Sequence, residues 1–187
     1  MADQYIILED AVRDMFARAV WSHKTQEKQS DIYQSRYKWM ETVSIICASL
    51  TSVGILSTIF TDQLWIKIVS AVLSFATVFV SAYFKSFDLA NLTKTHKEAA
   101  NKLLIVRNEL TGLLTSIKLR GKTAAELEDR YTELMNKANE IYKDAPQTTD
   151  KAVKLAKEAL QVTGDNTFSV EEIDSYLPAA LQKGGKK

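Results

Sequence analysis

Residues capable of chemistry are sparse in this chain of 187 amino acids. The two histidines, His23 and His96, are the obvious candidates for proton transfer or metal ligation. His96 falls on a regular apolar seam, where a histidine hydrogen-bonded into a helix contact is the expected use. His23 lies in the polar stretch "SHKTQEKQSD", Ser22 to Asp31, with no cysteine, aspartate or second histidine at ligand spacing. A surface or interface role is expected for it. The sole cysteine, Cys47, sits in an apolar run, so one chain offers neither a disulfide framework nor a Cys-rich metal site. Glu171, Glu172 and Asp174 cluster where a short helix should begin, and carboxylates there complement the helix dipole. There is no P-loop, Gly-rich dinucleotide turn, GxSxG or HExxH. No catalytic residue, cofactor or metal is expected, and the formal net charge of +1 gives no reason to expect nucleic acid.

Hydroxyls are the other polar groups with a distinctive placement. Thr42 to Thr61 is a run of twenty residues without a charge, yet eight of them are Ser or Thr. About 20 residues at ~1.5 Å each cross a ~30 Å bilayer core. Positions three and four apart share a helix face, so Ser44, Cys47, Thr51, Gly54, Thr58 and Thr61 fall on one stripe. In the second apolar run, Leu64 to Phe84, Ser70, Ser74, Thr77 and Ser81 do the same. That line extends to Gln63 and Lys67 at one end and Asp88 at the other. The opposite sides carry Ile45, Val53, Leu56, Ile66, Val69, Leu73 and Val80. Two uses remain open: small residues let membrane helices pack closely and hydrogen-bond, or the hydroxyls line a water-filled path in an oligomer.

The elements that must position these stripes are long helices, since only six glycines and two prolines occur. The fold class expected is an all-α membrane protein, a two-span transmembrane hairpin with long cytoplasmic helices forming a bundle. Its parts are an N-terminal cytoplasmic helix (1–41), the hairpin (42–84, with spans at about 42–61 and 64–84), a cytoplasmic helical hairpin (85–145), and a C-terminal helical segment with a basic tail (146–187). A buried hairpin in a soluble protein would need a large amphipathic shell, which the remaining chain is too short to supply. "MADQYIILEDAVRDMF" lacks a basic leader, so the first span is expected to direct its own insertion. Lys24, Lys28, Arg36 and Lys38 precede the spans and Lys85, Lys94, Lys97 and Lys102 follow them, which puts both termini in the cytoplasm.

Leu8, Val12, Met15 and Ala19 form an N-terminal apolar stripe, after which Ser22 to Asp31 reads as solvated on nearly every side. Downstream, Leu92, His96, Ala99, Leu103, Val106, Leu110, Leu113 and Ile117 alternate at four and three, a seam for helix packing. Gly121 reads as the break. Thr123 with Glu126 reads as a capping box, as does Ser169 with Glu172. The helix after Asp150 should pack through Val153, Ala156 and Leu160.

"WSHK" (Trp21 to Lys24), "YKW" (Tyr37 to Trp39), "TSVG" in the first span, "AYFKSF" leaving the second, and "HKEAANKLLIVR" (His96 to Arg107) together resemble the SLATT domain family. The resemblance covers roughly residues 5 to 145. It implies a two-span effector of bacterial conflict systems that damages the inner membrane once an infection signal arrives, by oligomerising into a pore or by disrupting the membrane otherwise, with a separate sensor or signal-producing protein as the expected partner. The alternative is a non-conducting, membrane-anchored scaffold that binds a cytoplasmic partner through its helices.

Overall fold

The first glycine is Gly54 and the first proline is Pro146, so nothing in the N-terminal third obliges a helix to stop. The computed structural model describes residues 2–60, 63–165, 167–178 and 181–183. Its first helix, α1, runs unbroken over Ala2–Phe60, 59 residues, or about 88 Å at 1.5 Å per residue. It continues through the sequence boundary at residue 42 without a kink-forming residue. The other helices are α2 (Leu64–Phe87), α3 (Leu89–Leu119), α4 (Ala124–Asp144), α5 (Asp150–Gln161) and α6 (Val170–Tyr176). No strand occurs among the described residues.

Helices α2 and α3 run back along α1, antiparallel to it, as one nearly continuous partner. The pairing moves in opposite directions along the chain: Gly54 faces Ser70, Ser30 Oγ donates to Thr93 O at 3.0 Å, and Tyr5 OH donates to Lys122 O at 2.9 Å. The only interruption is Asp88, in the left-handed region at φ 40°, ψ 54°. Asp tolerates that conformation better than most residues. Its carboxylate accepts from Asn91 N at 3.3 Å and so caps α3.

The core of the bundle is apolar at the end far from the spans. Leu8, Val12, Met15 and Ala19 of α1 pack with Val106, Leu110, Leu113 and Ile117 of α3 and with Leu127, Leu134 and Ala138 of α4. Helix α4 folds back on α3 after a short turn. The residue that makes the turn's left-handed bend is Arg120 (φ 51°), one position before the expected break at Gly121. Its guanidinium lies 5.4 Å from the centre of the Tyr5 ring, an attraction worth about 0.5–1 kcal/mol at an exposed site. Both capping boxes form, Thr123 with Glu126 and Ser169 with Glu172. Hydrogen bonds from the Thr123 side chain and backbone hold the Glu126 carboxyl below the usual glutamate range.

Two expectations are corrected in this bundle. The stretch Ser22 to Asp31 is not solvated: His23, Lys24, Thr25, Gln26, Gln29 and Ser30 are all buried. They are covered because α5 crosses α1 while α3 lies along it. Helix α5 also turns slightly from the expected face: Ala156 is buried and Leu160 half-buried as expected, but Ala152 and Ala159 are buried where Val153 is exposed, because a methyl face lets α5 approach more closely than Val153 would.

Asp88 supplies a stability test. Asp88→Asn should leave thermal stability in detergent within about 0.5 kcal/mol, since Asn caps helices and tolerates the left-handed region equally well. Asp88→Ala should lose about 1–2 kcal/mol through the lost cap and the backbone strain. Thermal denaturation followed by circular dichroism checks both.

Candidate functional site

The first span meets the second through its small residues. Ser44, Cys47, Thr51 and Gly54 are partly covered, while Ile45, Leu50, Val53 and Leu56 are exposed. A Cβ at Gly54 would lie 3.2 Å from Ser70 Cβ and collide with Ser70 Oγ. Gly54 is therefore a point of close approach between the two helices, and Ser70 is buried beneath it. The side chains of Thr58 and Thr61 lie outside the described residues.

On α2 the covered line is Ile66, Ser70, Leu73, Thr77 and Val80, at spacings of four and three. This corrects the sequence reading in two ways. Ile66, Leu73 and Val80, placed there on the outer side, face the contact. Ser74 and Ser81 do not share the covered face with Ser70 and Thr77; they sit exposed on its flank with Gln63 and Lys67. Packing centres on the position opposite Gly54, and that rotates the contact away from the line of hydroxyls. Asp88, expected at a mouth of the stripe, is exposed but serves as the corner between α2 and α3.

Most span hydroxyls whose bonds are visible donate to their own helix. Thr51 Oγ1 donates to Cys47 O at 2.8 Å, Thr77 Oγ1 to Leu73 O at 3.0 Å, and Ser81 Oγ to Thr77 O at 2.9 Å. The exposed Ser49 and Ser52 do the same towards Ile45 and Ala48. Back-bonding of this kind satisfies a hydroxyl at hydrocarbon depth without a second helix.

The outer surface of the hairpin is apolar. Val72 is 62%, Phe75 73% and Phe79 62% exposed, and both helices are long and apolar enough to cross a membrane. A surface of this extent suits hydrocarbon and would drive association in water. Trp39 and Trp65 are both exposed near opposite ends of the hairpin. In the antiparallel register Trp65 lies level with about residue 59, so the two indoles are separated by roughly 30 Å along α1, one hydrocarbon thickness.

A polar layer lies between this hairpin and the apolar core. His23 is not a surface residue: it is buried, and its Nδ1–H donates to Ala100 O at 2.9 Å. His96 donates through Nδ1 to Gln26 Oε1 at 2.6 Å, and Gln26 Nε2 donates in turn to Pro146 O at 2.9 Å. Gln29 Oε1 accepts from both N and Oγ1 of Thr149, each at 2.8 Å, and Thr149 caps α5. Lys24 Nζ lies 2.7 Å from Glu27 Oε2 and 3.4 Å from Asp165 Oδ2. Lys97 of α3 reaches Glu27 at 3.5 Å. The seam residues of α3 from His96 to Ile117 are buried, with Leu92 partly so. Each buried alanine methyl of α5 contributes on the order of 0.8 kcal/mol, against ~1.5–3 kcal/mol for a leucine in the core. Polar bonds thus carry a larger share of the hold on α5 than on α3 or α4. No group of side chains suited to a metal ion occurs among the described residues.

Sequence reasoning passed over Gln26, Gln29 and Thr149. The only signal available was that His23 and His96 each needed a partner that periodicity does not name.

Burial holds both histidines below the usual value, for His23 against a smaller raising effect of its bond to Ala100 O. Burial pushes the Glu27 carboxyl up, but the hydrogen bond and charge of Lys24, with His23 and Lys97, outweigh it and leave the group low. With depressed histidine values the unfolded chain binds more protons, so stability rises with pH. The histidine contribution is complete above about pH 6.5 and is lost as pH falls through the lowered values. Thermal unfolding between about pH 8 and pH 5 should show that loss, and His96→Asn should reduce the slope by up to one proton. The hairpin has its own check. Gly54→Cys with Ser70→Cys, in a Cys47→Ser background, should form an intrachain disulfide, because the Cβ positions are close enough for one. A ladder of interchain products alone would contradict the pairing.

Comparison with known proteins yields one finding. No curated protein and no solved structure matches the chain. A family of two-span domains matches over residues 8–172. That range reaches past residue 145, where the sequence resemblance ends, and takes in α5. The two spans of its description agree in number with the two helices long and apolar enough to cross a membrane, and its name associates it with SMODS and SLOG components. The chain belongs to the SMODS and SLOG-associating 2TM effector domain family 4.

Proposed function

We propose that this chain is the membrane effector of a bacterial conflict system, and that several copies assemble into a conducting path when an infection signal arrives. Both termini would lie in the cytoplasm, as the basic residues flanking the spans favour. The observation that carries the pore reading is the exposed flank of α2, where Gln63, Lys67, Ser74 and Ser81 lie outside the packed face of the hairpin. Hydroxyls and an ammonium on an outer flank suit water better than acyl chains, and one hairpin is too thin to enclose water. Neighbouring copies would close the path, with Lys67 near one mouth. Sensing would fall to a separate protein, as the family's association with SMODS and SLOG components suggests.

A specific observation favours the rival, a non-conducting anchored scaffold. The hydroxyls of Thr51, Thr77 and Ser81 already bond to carbonyls of their own helices and need no water. Membrane potential decides between the two. Cells triggered by infection should depolarise; arrest with potential and ion gradients intact would exclude the pore.

Substitution on α2 gives a finer test. Ser74→Lys should insert and shift selectivity toward anions, since water at that flank would hydrate the charge. Val72→Lys, on the outer apolar face, should hinder insertion by roughly 2.5–3.5 kcal/mol. Ser74→Leu should lower conductance without preventing insertion. Equal disruption by lysine at both positions would mean that the flank is lipid-exposed or dry.

A further inference from the structure

The two ends of the cytoplasmic bundle are built differently. Far from the membrane, α1, α3 and α4 interlock through leucine, valine and isoleucine. Opening that end would expose a large apolar surface. Nearer the membrane, the fully buried residues of α5 are three alanines, Ala152, Ala156 and Ala159, flanked by the half-buried Leu155 and Leu160, and polar groups of α1 lie under them. The face of α1 under it, Lys24, Thr25, Gln26 and Gln29, is one that water would accept without penalty.

Two features make this contact easy to undo. The Lys24 side chain is 5% exposed, held by Glu27 and by Asp165 beyond the end of α5. A buried ion pair recovers hydration when it opens, so separation costs less than an apolar contact of the same area. Gln29 Nε2 is buried with no hydrogen-bond partner among the described residues. An unsatisfied buried donor opposes the closed arrangement and is relieved on opening. From Gln29, α1 continues unbroken to Thr42, about 20 Å away along the axis.

We propose that α5 is a releasable clasp on α1, and that its detachment, rather than opening of the apolar bundle, is the step that frees the effector's spans to act. The inference rests on the effector reading above but not on the pore. The clasp holds the resting state; release bares the polar strip of α1 and leaves α1, α3 and α4 intact. A signalling partner would act by binding that strip or by pulling α5 away.

The test uses the full chain with Cys47→Ser, expressed without partners in bacteria that have an oxidising cytoplasm. Asp165→Asn removes the outer anchor at a partly exposed side chain, and Ala156→Glu places a carboxylate under α5. Both should arrest growth where the parent chain is tolerated. Maleimide labelling of Thr25→Cys, buried beneath α5, should rise about tenfold, the shift expected from weakening the closed state by ~1.4 kcal/mol. Adding Gln29→Cys with Thr149→Cys to Asp165→Asn should lock the clasp by a disulfide and restore growth, and that rescue excludes toxicity from misfolding. The inference is overturned if labelling rises while growth continues, if neither substitution raises labelling, or if the locked chain arrests growth like the unlocked one. Arrest with membrane potential intact would remove the pore reading and leave the clasp supported.

Discussion

One helix passes from a polar stretch into an apolar span without a break, and every other element answers to it. Helix α1 cannot change its backbone at the boundary, so its partner must change character alongside it. The partner is α2 within the apolar zone and α3 below it, two helices separated by a single left-handed residue, Asp88. The close approach of Gly54 to Ser70 fixes the register at one end. The bonds of Ser30 and His23 to the α3 backbone fix it at the other. A slip by one residue would turn every covered position of α1 by about 100° and would unmake both sets of contacts.

Along that shared axis three kinds of adhesion follow one another. Small side chains hold the hairpin, where there is no water to exclude and close approach supplies the attraction. Hydrogen bonds and ion pairs hold the middle layer, around His96, Gln26 and Lys24. Aliphatic burial holds the distal end, around Leu110 and Leu134. The second kind is the weakest in net terms, since each bond in it replaces a bond to water. The layer between lipid and core is consequently the one most open to adjustment.

Much of this arrangement can be read from residue order. The α3 seam alternates at four and three from Leu92 to Ile117 and is buried from His96 onward, because an apolar stripe at helical spacing has few other outcomes. Capping boxes are equally local: Thr123 and Glu126 need only each other. The polar layer was not legible. A run such as Ser22 to Asp31 has no apolar period, and glutamine or lysine is covered only when a distant segment, here α5, comes to meet it. The azimuth of α2 was half legible. Clustered hydroxyls located the general side of the contact, but its centre is set by a glycine on the other helix. Ser70 and Thr77 are therefore inside while Ser74 and Ser81 are on the flank.

The continuity of α1 makes the distance between its polar strip and its membrane face a matter of phase as well as length. Inserting one residue between Asp31 and Met40 would advance the span by about 1.5 Å and rotate Gly54 by about 100° away from Ser70. Seven residues, close to two full turns, would restore the azimuth to within about 20°. The length of this linker is thereby constrained in phase: a change of about seven residues keeps strip and span in step, and a change of about one or two does not. A rod of this kind carries torsion as faithfully as it carries thrust.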